Sequence, residues 1–200
     1  MTKPSLNVTL CGLKLQTPIM TASGTFGYGL EYLPVVDFVD LGAVVVKGTT
    51  LEPWLGNPPP RIWETPSGML NAIGLENCGV ETFIQEKLPK LTAHNVPVIV
   101  NVAGRTIDEY PQVIEKLERA QDIAAYELNI SCPNVQQGGM AFGQDPKIAA
   151  SVTQAAKAVA SRPVIVKLSP NVTDIVVIAK AVEAAGADAI SLVNTFVGMA

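Results

Sequence analysis

Short apolar runs that each lead into a polar residue recur along this chain, and no other feature restricts its fold so strongly. Residues 19–21 lead to Ser23, 43–46 to Lys47, 97–100 to Asn101, 126–128 to Asn129, 164–166 to Lys167 and 189–193 to Asn194. Runs rich in Val and Ile without strict alternation suit a parallel sheet covered on both faces. Helical periodicity fills the gaps between them, so six strands of a repeating βα unit are expected. In a closed α/β barrel the ends of such strands converge on one mouth.

The helices are marked by their starts. Thr106-Ile107-Asp108-Glu109 reads as a capping box opening a helix over 107–120, with Ile107, Tyr110, Ile114 and Leu117 on one face. Asp145-Pro146 gives an N-cap followed by proline, with Ile148, Val152, Ala155 and Val159 as the apolar stripe, and Thr173 opens a third helix that Gly186 closes. Val8, Leu10, Leu13 and Leu15 around Cys11-Gly12 predict a small antiparallel hairpin able to plug a barrel from below. Residues 51–71, with prolines at 53, 58, 59, 60 and 66, read as one long functional loop. No compositional shift divides the chain, so residues 1–200 are expected to form a single domain. The 200 residues fall short of the roughly 250 of a complete barrel, and the last ones, SLVNTFVGMA, leave the last strand for a loop without a closing helix. The expectation is a (β/α)8 TIM barrel of which about six βα units are present, incomplete at its C-terminus.

Composition removes whole classes of function. The 14 Lys and Arg against 18 Asp and Glu give a net charge of −4, which argues against a nucleic-acid partner. A hydrophobic share of 48% argues against disorder. With no apolar leader and no membrane-length apolar run, a soluble cytoplasmic chain is expected. Cys11, Cys78 and Cys132 form no CxxC, so no disulfide framework and no metal site are expected.

Lys47 and Lys167 are the most telling of the strand-end residues. An ammonium group following VVV or VIV enters a low-dielectric setting suited to an anion, a Schiff base or the developing charge of a cofactor. Small residues at 22–24 would let a flat ring approach the backbone. Cys11 and Cys78 read as small core residues, but Cys132 stands at a strand end before Pro133, and His94 belongs to the opposite end of the barrel. A lone thiol there suits a general base better than a Cys/His nucleophile. Neither a GxxxxGK[ST] loop nor a GxGxxG loop is present.

TASGTFGYG at 21–29, VVVKGTT at 44–50, NAIGLEN at 71–77, ELNISCPN at 127–134, GGMAFGQDP at 138–146 and VKLSPN at 166–171 occur in one order along the whole chain. In these motifs it resembles the class 1B dihydroorotate dehydrogenases, the FMN-dependent catalytic subunits of pyrimidine biosynthesis. The resemblance implies an FMN-bearing barrel that oxidises dihydroorotate to orotate. By motif, Ala22, Ser23, Lys47, Gly48, Asn101, Asn129, Lys167 and Val193 would contact FMN. Lys47, Asn71, Ala72, Ile73, Gly74, Leu75, Asn129, Asn134, Asn194 and Thr195 would hold dihydroorotate, and Cys132 would take its C5 proton. The resemblance also implies two further βα units that bind the FMN phosphate. It implies a homodimer of catalytic chains within a heterotetramer, where an iron–sulfur, FAD-containing partner passes electrons to NAD+. The competing readings are another flavin barrel, such as the dihydropyrimidine dehydrogenase catalytic region, a flavin-free Schiff-base barrel, or a non-catalytic partial barrel that binds a partner.

Overall fold

The computed structural model describes residues 5–131 and 141–200. Strands β1 (Val8–Leu10) and β2 (Leu13–Leu15) form the expected antiparallel hairpin. Its two turn residues, Cys11 and Gly12, have φ of 50° and 82°, the left-handed pair that a two-residue hairpin turn requires. Next come β3 (Val44–Thr49), a second hairpin of β4 (Ile62–Thr65) and β5 (Gly68–Asn71), and a helical stretch. That stretch runs from α1 (Gly79–Thr82) through a π-helical turn at Phe83–Lys87 into α2 (Leu88–Thr92). The remainder is β6 (Val98–Val102), α3 (Glu109–Glu118), β7 (Ile123–Asn129), α4 (Pro146–Val159), β8 (Val164–Lys167), α5 (Ile175–Ala184) and β9 (Ala189–Ser191).

Strands β3, β6, β7, β8 and β9 lie side by side in chain order, all parallel, with helices between successive strands: a partial α/β barrel. Period-2 alternation gives the sheet two unlike faces. Outward residues such as Val46, Val100, Tyr126, Leu128 and Val166 pack with Phe83, Leu91, Tyr110, Ile114, Val152 and Val182 of the helices in the main core. Each such side chain contributes about 1.5–3 kcal/mol on burial. Inward, Val45, Ile99, Ala125 and Ile165 form a second, smaller core closed by Leu15 of β2, so the hairpin does plug this end.

Several local expectations are corrected. Five strands form the sheet, because residues 19–21 supply only a single bridge, Met20 to Ala43. The Thr21 hydroxyl accepts from the Val45 N–H at 2.8 Å and donates to the Val45 carbonyl at 3.2 Å, taking over bonds that a backbone ladder would have made. Residues 51–71 are not one loop: β4 and β5 pair tightly around Pro66 and Ser67. Strand β9 ends at Ser191 rather than at 193. Helix α3 starts at Glu109 without the capping box, since the Glu109 carboxylate accepts from the Arg105 N–H. Asp145 caps α4 as expected, through the N–H groups of Lys147 and Ile148, but Ala156 replaces Ala155 on the buried stripe. Asp174, not Thr173, caps α5. Cys11 and Cys78 are half-buried rather than core, the first bonded to the Asp188 carbonyl and the second 3.1 Å from the Tyr28 hydroxyl.

A polar clasp ties α3 to the entry of β8. Glu118 accepts from the Ser161 N–H (2.8 Å), the Ser161 hydroxyl (2.6 Å) and Arg162 (2.6 Å), whose guanidinium also donates to the Tyr126 hydroxyl and the Ala120 carbonyl. Partial burial raises the Glu118 pKa, but the Ser161, Tyr126 and Arg162 interactions outweigh it and hold the carboxyl below its ordinary range. A depressed folded-state value gives stability that is present above the unfolded pKa and lost as pH falls through the folded one. Glu118→Ala is therefore expected to cost about 1–3 kcal/mol at neutral pH, and less in acid, where the wild type loses the same bonds. Urea midpoints at pH 7 and pH 3 check this, and equal penalties at both would contradict it.

Candidate active site

Along each central strand the inward residue changes from apolar to polar within two positions: Val45 to Lys47, Ile99 to Asn101, Ala125 to Glu127 and Asn129, Ile165 to Lys167, Ala189 to Ser191. The carboxyl ends of the strands thus carry a polar layer above the dry core. Ser23, Asn101, Glu127, Asn129 and Lys167 are all buried. Groups of this kind need partners when removed from water, and they find them in one another.

Glu127 is the hub. One carboxylate oxygen accepts from the Ser23 hydroxyl (2.7 Å) and the Asn101 amide (2.6 Å), and the other accepts from the Ser191 hydroxyl (2.9 Å). Lys167 Nζ donates to Ser23 Oγ at 3.0 Å and lies 4.0 Å from Glu127 Oε1, forming an ion pair with side chains 10% and 7% exposed. Sequence reasoning missed Glu127 and Ser191. The signal was there, because a carboxylate inside the run AAYELN, two residues before the inward Asn129, faces the same interior.

Ser23, Asn101, Asn129 and Lys167 floor a cavity of about 150 Å3, with Glu127 behind them. Ser23, Lys47, Gly48, Asn101, Asn129 and Lys167 from the strand ends line it, with Asn71, Ile73, Gly74 and Leu75 from the segment after β5 and Asn194 and Thr195 from beyond β9. Ala22, Ala72 and Val193, expected among the site residues, do not line it. Cys132 and Asn134 lie outside the described residues. An adjoining cavity of about 460 Å3 shares Gly74, Leu75, Asn129, Asn194 and Thr195 and adds Trp54, Ser131 and Gln144. Larger hollows, about 620 Å3 beside Asp174 and about 560 Å3 near the amino ends of β6 and β7, gather no comparable set of buried charged groups.

Local structure fixes the walls. Asn77, missed as a positioning residue, accepts from the Thr50 N–H, the Thr50 hydroxyl and the Gly79 N–H and donates to the Leu75 carbonyl. Gly74 and Leu75 both have positive φ (74° and 56°), and a Cβ on Gly74 would come within 2.8 Å of Asn57. A non-glycine residue in that region is strained, and such strain gathers at ligand sites. A Cβ on Gly48 would come 3.0 Å from Leu75 Cδ1 and 3.1 Å from Asn101 Oδ1, whereas one on Gly24 meets open space. The Asn129 side-chain oxygen accepts from the Ser131 N–H and from Asn194 Nδ2, which leaves its amide nitrogen to offer a ligand. The Ser131 hydroxyl, beside the second cavity, is buried without a hydrogen-bond partner. His94 stacks edge-on against Phe38, away from these walls.

Fold and site together define a parallel α/β-barrel protein with a lysine- and asparagine-lined ligand pocket at its strand ends. The chain belongs to the dihydroorotate dehydrogenase family, whose family model matches residues 5–200. It is 56% identical to the "Dihydroorotate dehydrogenase B (NAD(+)), catalytic subunit" of Geotalea daltonii and 58% identical to that of Alkaliphilus metalliredigens. Both alignments cover 100% of this chain and 66% of the relative, so the chain spans just under two thirds of the length of these curated relatives. Among solved structures it is similar to DHODH from Eimeria tenella, determined in complex with ferulenol, with a TM-score of 0.79 at 22% identity over 99% of this chain and 61% of that one. That likeness concerns the fold. No helix among the described residues is long and apolar enough to cross a membrane, and no cluster of metal-ligating side chains occurs among them.

Proposed function

We propose that the chain is the FMN-binding, catalytic part of a cytoplasmic dihydroorotate dehydrogenase of the NAD+-linked type, oxidising dihydroorotate to orotate in pyrimidine biosynthesis. The observation that carries this reading is the convergence of Ser23, Lys47, Gly48, Asn101, Asn129 and Lys167 on one cavity in a chain of this family. The residues fit a flavin. Gly24 leaves open space, a side chain at Gly48 would crowd Leu75 and Asn101, and the polar floor offers both donors and acceptors to a ring that carries both. FMN, when bound, supplies the two-electron acceptor for the C6 hydride of the substrate.

The chain's own residues do the rest. Lys167, in the cavity lining, would hold the flavin and supply a positive charge to its reduced form. Asn71, Asn129, Asn134, Asn194 and Thr195 orient the substrate's ring amides, Lys47 meets its carboxylate, and Cys132 accepts the C5 proton. The curated relatives are named catalytic subunits, which supports a separate partner subunit; in this proposal that partner carries FAD and an iron–sulfur cluster and joins a dimer of this chain. The three cysteines, at 11, 78 and 132, offer no cluster-binding set of their own.

The test is anaerobic mixing of the FMN-loaded protein with dihydroorotate. Flavin absorbance near about 450 nm should bleach, and NAD+ reduction should appear only when the partner subunit is added. A flavin-loaded protein that dihydroorotate leaves oxidised would overturn the reading.

A further inference from the structure

We propose that Glu127 is the positioning residue of the flavin site: from behind the cavity floor it dictates which hydrogen-bonding group each floor residue presents and serves as the counter-ion of Lys167. The inference rests on the flavin reading above. Glu127 does not line the cavity, so it is not a ligand contact. An ionised carboxylate only accepts hydrogen bonds, and this one is surrounded by groups that can donate. Asn101 turns its NH2 toward Glu127, so its Oδ1 is the atom left beside Gly48, at the cavity wall. Ser23 spends its proton on Glu127 and therefore offers Lys167 a lone pair, which the ammonium takes at 3.0 Å.

The floor thus presents an acceptor at Asn101 and a cation at Lys167, a pattern set by one buried negative charge. It suits a planar heterocycle whose edge carries an N–H donor next to a carbonyl that gains negative charge on reduction. The charged groups lining the cavity are Lys47 and Lys167, and Glu127 is the carboxylate bonded to the floor from behind.

Two substitutions separate charge from anchoring. Glu127→Gln keeps an oxygen that can accept while removing the charge, so the holoenzyme should retain FMN and its flavin reduction potential should move upward, since Lys167 is no longer offset. Glu127→Ala removes the anchor and should weaken FMN binding, read by fluorescence titration of the apoprotein. Combined with Lys167→Ala, the two losses should fall short of multiplying, because part of each acts on the same Glu127–Lys167 pair. An unmoved or lowered potential in Glu127→Gln, or multiplying losses in the double variant, would overturn the inference while wild-type protein still binds FMN. A wild type without affinity for FMN would remove the flavin reading itself, and this inference with it.

Discussion

Replacing Cys132 by alanine is expected to slow the reduction of bound flavin by dihydroorotate by about 10²- to 10⁴-fold, the range attached to loss of a general base, while FMN stays bound. No ready substitute for the thiol stands at the site. Among the described residues, those lining the two adjoining cavities include no histidine, aspartate, glutamate or tyrosine. Glu127, behind the cavity floor, already accepts from Ser23, Asn101 and Ser191. Lysines held as cations are poor proton acceptors. Rapid-mixing absorbance measurements decide the matter, and wild-type reduction rates in the variant would exclude Cys132 as the base.

Lys167→Ala should have the second largest effect, and it acts on binding and electronics together. A charge-assisted contact is worth about 1.5–3 kcal/mol, so FMN should dissociate about 10- to 100-fold more readily. The flavin potential should fall, because a reduced, anionic ring seated on this floor would lose a fixed cation. The protein itself should also suffer. The Glu127 side chain, only 7% exposed, would keep its charge without a counter-ion, and breaking a buried pair from one side costs about 3–5 kcal/mol. Spectroelectrochemical titration and thermal melting measure the two consequences. An unchanged potential would place Lys167 outside the cofactor's reach.

How much of this was legible beforehand depended on whether a pattern is local. The β1–β2 hairpin could be read because alternation and the Cys11-Gly12 turn are neighbours in the chain. The same holds for the Asp145 cap of α4. The α1–α2 stretch escaped notice because its π-helical turn sets the buried Phe83 and Leu88 five positions apart, and Pro89 then imitates a helix break. The β4–β5 hairpin hid behind prolines that looked like a structureless loop. In the site, residues that terminate strands announced themselves, but Glu127 sits inside a strand, where only its distant partners reveal why a charge is tolerated. Thr21 is a similar case: a hydroxyl that stands in for a backbone ladder has no signature in spacing.

The bonds that meet at Glu127 also carry a consequence for how the protein folds. The sheet joins parallel strands that follow one another around the wall, each pairing closed over a crossover of moderate length. The floor of the pocket is built otherwise: Ser23 reaches Glu127 across 104 residues and Lys167 across 144, and Ser191 reaches Glu127 across 64. These closures span more of the chain than the strand pairings do, so they carry the larger loop-closure cost. A ligand seated on the pocket therefore acts as its keystone, adding its binding free energy to the folded chain alone.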